Sequence, residues 1–176
     1  MAIDQYTLRA KSRDYGLLKE AREKVANSAL NDLKMAFLCH SHKDEELAKG
    51  LVVLFKELGI TLYVDWQDNT MPEKPNSETA KRIQGRIIQS DVFLFLATAN
   101  SKASRWCPWE IGFADSSHKN IYIIPTTDGY SSYGNEYLDL YPNIDKGTYR
   151  IDNRPGYFVY RPNTTEAYAV SNSQLL

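Results

Sequence analysis

The sequence predicts an α/β domain built on a parallel sheet with helices on both faces, and three observations carry that prediction. The runs MAFLC, VFLFLA and IYII are apolar without polar alternation, which marks strands buried on both faces. Between them lie HKDEELAKGLVVLFKELG, ETAKRIQGRIIQS and WCPWEIGFADSSHK, whose apolar residues recur at helical spacing. Alternation of the two kinds of segment is the signature of right-handed strand–helix–strand units.

The elements follow in order. Residues 5–34 carry Leu8, Tyr15, Leu18, Ala21, Val25, Ala29 and Leu33 among Lys, Arg and Glu, so residues 1–34 read as an N-terminal amphipathic helical extension to a domain over 35–176. Gly16 weakens that helix by about 1 kcal/mol relative to Ala and permits a break there. The first buried strand starts at Met35. Asp44 is placed to cap the next helix, Leu47, Leu51, Leu54, Phe55 and Leu58 form its inward stripe, and Gly59 stops it. TLYVDW is β-branched and aromatic, hence a strand, and the Pro, Asp and Asn of DWQDNTMPEKPNS make a loop. Ser77 opens a helix, DVFLFLAT is a strand and ANSKAS a turn. The helix beginning near Trp106 tolerates Pro108 because it lies in the first turn. After IYIIP the chain is rich in Tyr, Gly, Asn and Pro, with strands expected at TYRID and YFVYR as the closing edge of the same sheet.

Composition narrows the function classes. With 21 basic and 22 acidic residues, no overall charge recruits nucleic acid or an anionic membrane. No stretch approaches the roughly 18 apolar residues of a membrane span, and the first residues have no apolar signal-peptide core. Cys39 and Cys107 are far apart in sequence and within structured segments, which points to free thiols in a reducing, cytoplasmic compartment. No Walker or dinucleotide-fingerprint glycine pattern is present, and Cys39, His40 and His42 are too close in sequence for a zinc site, so no cofactor or metal is expected.

In parallel sheets ligands bind beyond the carboxyl ends of the strands. That directs attention to HSHKD, DWQDNTMP and ATANSKASRW, and to Glu110 just past the last of them. Ser41 and His42 can contact a phosphate or ribose, Asp65 can shape its loop, and Trp66 can pack beneath it or touch ligand. Trp106 lies four residues before Glu110, on the same face of the helix, while Trp109 points elsewhere and is assigned to packing. Glu110 has a plainer explanation too: an acid in a first turn gains about 0.3 to 1 kcal/mol from the helix dipole and needs no chemistry. A Trp at helical spacing is likewise explained by a core.

Three motifs in order resemble those of one family. AFLCHSHKD is similar to the first box of TIR (Toll/interleukin-1 receptor) domains, LYVDW to the strand before their BB loop, and SRWCPWE to their Trp-x-x-x-Glu helix. The likeness runs from about Met35 to Pro125 and on through EYLDLYP, and is to the standalone bacterial members; Cys39 stands where Ser is usual. It implies a flavodoxin-like fold and an NAD+ nucleosidase, with NAD+ as substrate and Glu110 as the catalytic residue. Trp106 supports it, and Ser41, His42, Asp65 and Trp66 contribute to substrate binding. Nicotinamide leaves NAD+ as a neutral molecule, so one carboxylate suffices where ordinary glycosidases need two. The product would be a linear, cyclic or conjugated ADP-ribose. The likeness further implies anti-phage defence of the Thoeris type, self-association through TIR surfaces, and a separate effector that responds to the product. Two other readings stay open: a catalytically silent assembly module, and an enzyme resembling nucleoside 2-deoxyribosyltransferases, which also use a Glu at an N-glycosidic bond.

Overall fold

A computed structural model describes residues 2–17, 35–63 and 76–171. Seven strands form the main sheet in the order β10-β9-β8-β5-β4-β2-β3. These are β2 (Met35–Cys39), β3 (Thr61–Tyr63), β4 (Val92–Leu96), β5 (Asn120–Ile124), β8 (Asn143–Thr148), β9 (Pro155–Tyr160) and β10 (Ala167–Ala169). The sheet is parallel from β3 to β8, as expected, but β9 and β10 are antiparallel, so the whole is mixed. The expected strand at TYRID is corrected: β8 comes earlier, and residues 150–152 form the turn of the β8–β9 hairpin.

Side chains alternate across a strand, and here both sets are apolar. Ala36, Leu38, Val92, Leu94, Leu96, Tyr122 and Ile124 meet one core layer with helix α2 (Glu45–Glu57), through Leu47, Leu51, Leu54 and Phe55. Phe37, Cys39, Phe93, Phe95, Ile121 and Ile123 meet the other. That layer holds Ile83 and Ile87 of α3 (Ser77–Gln89) and Cys107, Ile111 and Ala114 of α5 (Cys107–Ser116). Helix α2 ends as expected, with Gly59 at φ 80°. ANSKAS is not a plain turn: Thr98 and Ser101 form a reciprocal capping box that winds Ala99–Ala103 into a short helix, α4.

At the N-terminus, β1 (Ile3–Asp4) pairs in parallel with β6 (Thr126–Thr127), which pairs with β7 (Ser132–Tyr133) in a small second sheet. The helix that follows, α1 (Gln5–Ser12), ends before Gly16, and residues 18–34 lie outside the described residues. Ile3 and Leu8 are buried in the same core layer as α2. Helix α1 approaches α2 so closely that a Cβ on Gly50 would fall 1.9 Å from the carbonyl oxygen of Leu8. The Gln5 amide donates to Thr126 Oγ1 at 3.0 Å, and that hydroxyl donates to the Ala97 carbonyl. Strand β1 and the buried face of α1 are thus packed into the sheet's surroundings.

Candidate active site

The strand order places β2 between β3 and β4, so the chain reverses its direction across the sheet beside β2. The crevice outside the carboxyl ends of β2 and β4 is the switch point where such sheets bind ligands. Two loops flank it, residues 40–44 after β2 and residues 97–106 after β4.

A buried carboxylate joins them. Asp44, 4% exposed, accepts from Thr98 Oγ1 at 2.5 Å and from Asn100 Nδ2 at 2.7 Å. Asp44 was expected to cap α2, but its side chain makes no capping bond there. The cross-loop partners draw it away, since a buried carboxylate needs hydrogen bonds more than an exposed helix end does. Thr98 and Asn100 were not singled out from the sequence; a Thr followed three residues later by a Ser marks a local cap and says nothing about a partner 54 residues earlier.

Glu110 sits in the first turn of α5 and is 6% exposed. Its N–H donates to the Trp106 carbonyl at 2.8 Å, closing the first turn of the helix. Ser104 Oγ accepts from the N–H groups of Trp106 and Cys107, at 3.1 and 3.3 Å, and Pro108 occupies the first turn as expected. Odd-numbered residues of β2 face α5, so Cys39 points into this layer; its Sγ lies 3.9 Å from the Cys107 carbonyl oxygen. Burial pushes the Cys39 thiol well above its usual value, and hydrogen bonding to Cys107 and the neighbouring Glu110 carboxylate push it further. Cys39 is therefore a protonated thiol that donates to the Cys107 carbonyl.

Trp106 is half-buried against this layer, and its ring meets the edge of Trp109 at 5.4 Å. Trp109 in turn stacks on Phe113, with ring centres 6.1 Å apart. Although assigned to packing, Trp109 is 37% exposed and continues the aromatic surface of Trp106.

Of the other expected site residues, Ser41 is buried, and its hydroxyl accepts from the Lys43 N–H at 3.4 Å in the 3-10 turn His42–Asp44. His42 is exposed on that turn. His40, buried, has Nδ1 3.2 Å from the Leu38 carbonyl oxygen. Asp65 and Trp66 lie outside the described residues. Among the described residues, no group of three or more His, Cys, Asp or Glu is placed to hold a metal ion, and no helix is long and apolar enough to cross a membrane.

Comparison with known proteins agrees with this geometry. The TIR domain family model matches residues 36–151. A provisionally named 3' cyclic ADP-D-ribose synthase, ThsB' of Bacillus cereus (strain MSX-D12), is 32% identical over 139 residues, which cover 75% of this chain and 69% of that protein. A provisionally named cyclic ADP-D-ribose synthase, TIR2 of Cytobacillus dafuensis, is 30% identical over 107 residues; the match covers 59% of this chain but 27% of that longer protein. Matched from β2 to the turn after β8, with its sheet order and its Trp106–Glu110 helix in place, the chain belongs to the TIR domain family.

Proposed function

We propose that this chain is an NAD+-consuming TIR enzyme that breaks the bond between nicotinamide and ribose and returns a cyclic ADP-ribose. The observation that carries the reading is Glu110, a carboxylate buried in the first turn of α5 at the carboxyl edge of the sheet. The names of the two relatives support the cyclic product.

The chemistry suits a single acid. As the glycosidic bond lengthens, positive charge moves from the pyridinium ring to the anomeric carbon of the ribose. A fixed carboxylate beside that carbon stabilises the charge where it develops. Nicotinamide departs neutral, so no second carboxyl is needed to protonate it. Glu110 fills this role and can accept hydrogen bonds from the ribose hydroxyls. Trp106 walls the ligand, and an aromatic face beside a cationic ring adds roughly 0.5 to 2 kcal/mol. Ser41 and His42, with Asp65 and Trp66, complete the substrate contacts. Cyclisation then requires a second nucleophile of the same ADP-ribose to reach the anomeric carbon before water does.

The product would serve as a signal read by a separate effector in defence against phage, with self-association of this chain completing the site. The test is chromatography with mass spectrometry of NAD+ incubated with concentrated wild-type protein and with Glu110→Ala. Nicotinamide together with an ADP-ribose species one water lighter than linear ADP-ribose, from wild type alone, is the expected result. Nicotinamide release by both proteins would remove Glu110 from the chemistry, and silence of an assembled wild-type sample would leave the assembly module.

A further inference from the structure

We propose that Gln5 is a positioning residue of the candidate site: through Thr126 it holds the peptide group between Ala97 and Thr98, and with it the loop that leads to Trp106 and Glu110. The role rests on the enzymatic reading above.

The N-terminal segment reaches the crevice through its backbone. The Ile3 N–H donates to the Pro125 carbonyl at 2.9 Å, and β1 runs parallel to β6 with Ile3 opposite Thr126. Gln5 follows two residues on, and its side chain and that of Thr126 are both buried. A buried amide is costly unless it is hydrogen-bonded, and here it donates to Thr126 Oγ1 at 3.0 Å. That hydroxyl has one proton to give. With Gln5 donating to its oxygen, the proton is directed to the Ala97 carbonyl oxygen, 2.5 Å away.

The Ala97 carbonyl and the Thr98 N–H belong to one planar peptide group, so fixing one end fixes the other. The Thr98 N–H donates to Ser101 Oγ at 2.8 Å, and the Ser101 hydroxyl donates on to the Thr98 carbonyl at 3.1 Å. Every donor in this buried chain points the same way, an arrangement in which hydrogen bonds polarise and strengthen one another. The chain ends where the site begins. Thr98 binds Asp44 of the facing loop, and Ser104 further along accepts from the Trp106 and Cys107 N–H groups that open the helix carrying Glu110. The family match starts at residue 36, so Gln5 supplies this support from outside the matched domain.

The decisive measurement is amide hydrogen exchange of the full chain, read by NMR at Thr98 and Ser101, for wild type, Gln5→Met, Thr126→Val and Thr126→Ser. Met fills the space of Gln without a donor, and Ser keeps the hydroxyl that Val removes. The Thr98 and Ser101 amides should exchange about tenfold faster in Gln5→Met and Thr126→Val, while those of β4 stay within about threefold of wild type and Thr126→Ser behaves as wild type. With NAD+, kcat should fall about tenfold in Gln5→Met, because the reacting groups are displaced. Leu8→Ala loosens α1 but leaves the chain of donors intact, so where both variants are folded it should keep kcat within about twofold. An equal loss of kcat in Leu8→Ala would make Gln5 merely structural. Unchanged exchange at Thr98 and Ser101, acceleration spread equally over β4, or no recovery in Thr126→Ser likewise overturns the proposal. If Gln5→Met does not fold, the Thr126→Val and Thr126→Ser pair decides at the same two amides. Exchange needs no turnover, so its failure is separable from that of the enzymatic reading, which falls if an assembled wild-type sample releases no nicotinamide.

Discussion

Replacing Thr98 by Val is the sharpest test of how the two crevice loops are held. The Thr98 hydroxyl donates to the buried Asp44 carboxylate and also accepts the Ser101 N–H at 2.9 Å as the N-cap of α4. Val keeps the shape and removes both bonds. Losing a hydrogen bond to a carboxylate costs about 1.5 to 3 kcal/mol, and losing a cap about 1 kcal/mol. The sum is roughly 3 kcal/mol, or about 6 to 12 °C in Tm for a domain of this size. Urea unfolding followed by circular dichroism should show the midpoint falling with an unchanged slope, which means that the native state alone was weakened. Thr98→Ser, which retains the hydroxyl, should recover most of the loss. A Val variant within 1 kcal/mol of wild type would refute the view that Asp44 is a clamp.

Three further expectations concern packing and pH. Gly50→Ala brings a methyl to 1.9 Å from the Leu8 carbonyl oxygen, a backbone atom that cannot swing aside, so α1 must lift from α2. The cost should reach at least the roughly 1 to 3 kcal/mol of ordinary overpacking; amide exchange unchanged over residues 5–12 would contradict it. Leu8→Ala, which empties a fully buried site, should cost about 2 to 5 kcal/mol in the same unfolding assay, and a loss under 1 kcal/mol would show that α1 is not held by its apolar face. Tyr122 is pushed up to about 12, first by burial and then by its hydrogen bond to Tyr168. The fold therefore favours the protonated phenol: the associated stability is fully present below about pH 10 and is lost as pH rises towards 12, about 2 to 3 kcal/mol in all. Tyr122→Phe should flatten that alkaline decline, which equilibrium unfolding at a series of pH values would reveal.

What the sequence makes legible depends on the range of the interaction. Strands β2, β4 and β5 are visible because they are buried on both faces, and Gly59 and Pro108 because their roles are set by their own backbone. The Trp106–Glu110 pair is visible because one helical turn fixes its spacing. The fate of Asp44 is hidden: its local context advertises a cap, and only the fold brings Thr98 and Asn100 to it. The start of the β8–β9 hairpin is hidden because NIDKGT is polar and alternates weakly, although β8 lies inside the sheet between β5 and β9. Strand β1 is two residues long, and no periodicity exists at that length.

The remaining question is whether Glu110 is explained by its helix alone. Acids that serve a dipole or a surface pair look different in this protein: Glu45, Glu46 and Glu78 occupy first turns, are exposed, and two of them pair with Lys49 and Arg82 one turn on. Glu110 is buried, and two N–H groups at the start of its helix are already taken by Ser104 Oγ. A buried carboxylate costs stability unless its hydrogen bonds compensate, and a buried acid at the carboxyl edge of such a sheet is a candidate for chemistry. Glu110→Gln, which keeps the shape and one acceptor oxygen, should then leave unfolding stability within about 1 kcal/mol of wild type or raise it, while nicotinamide release is lost. A variant less stable by several kcal/mol would make Glu110 a structural acid, and the loss of activity would then follow from the fold rather than from the chemistry.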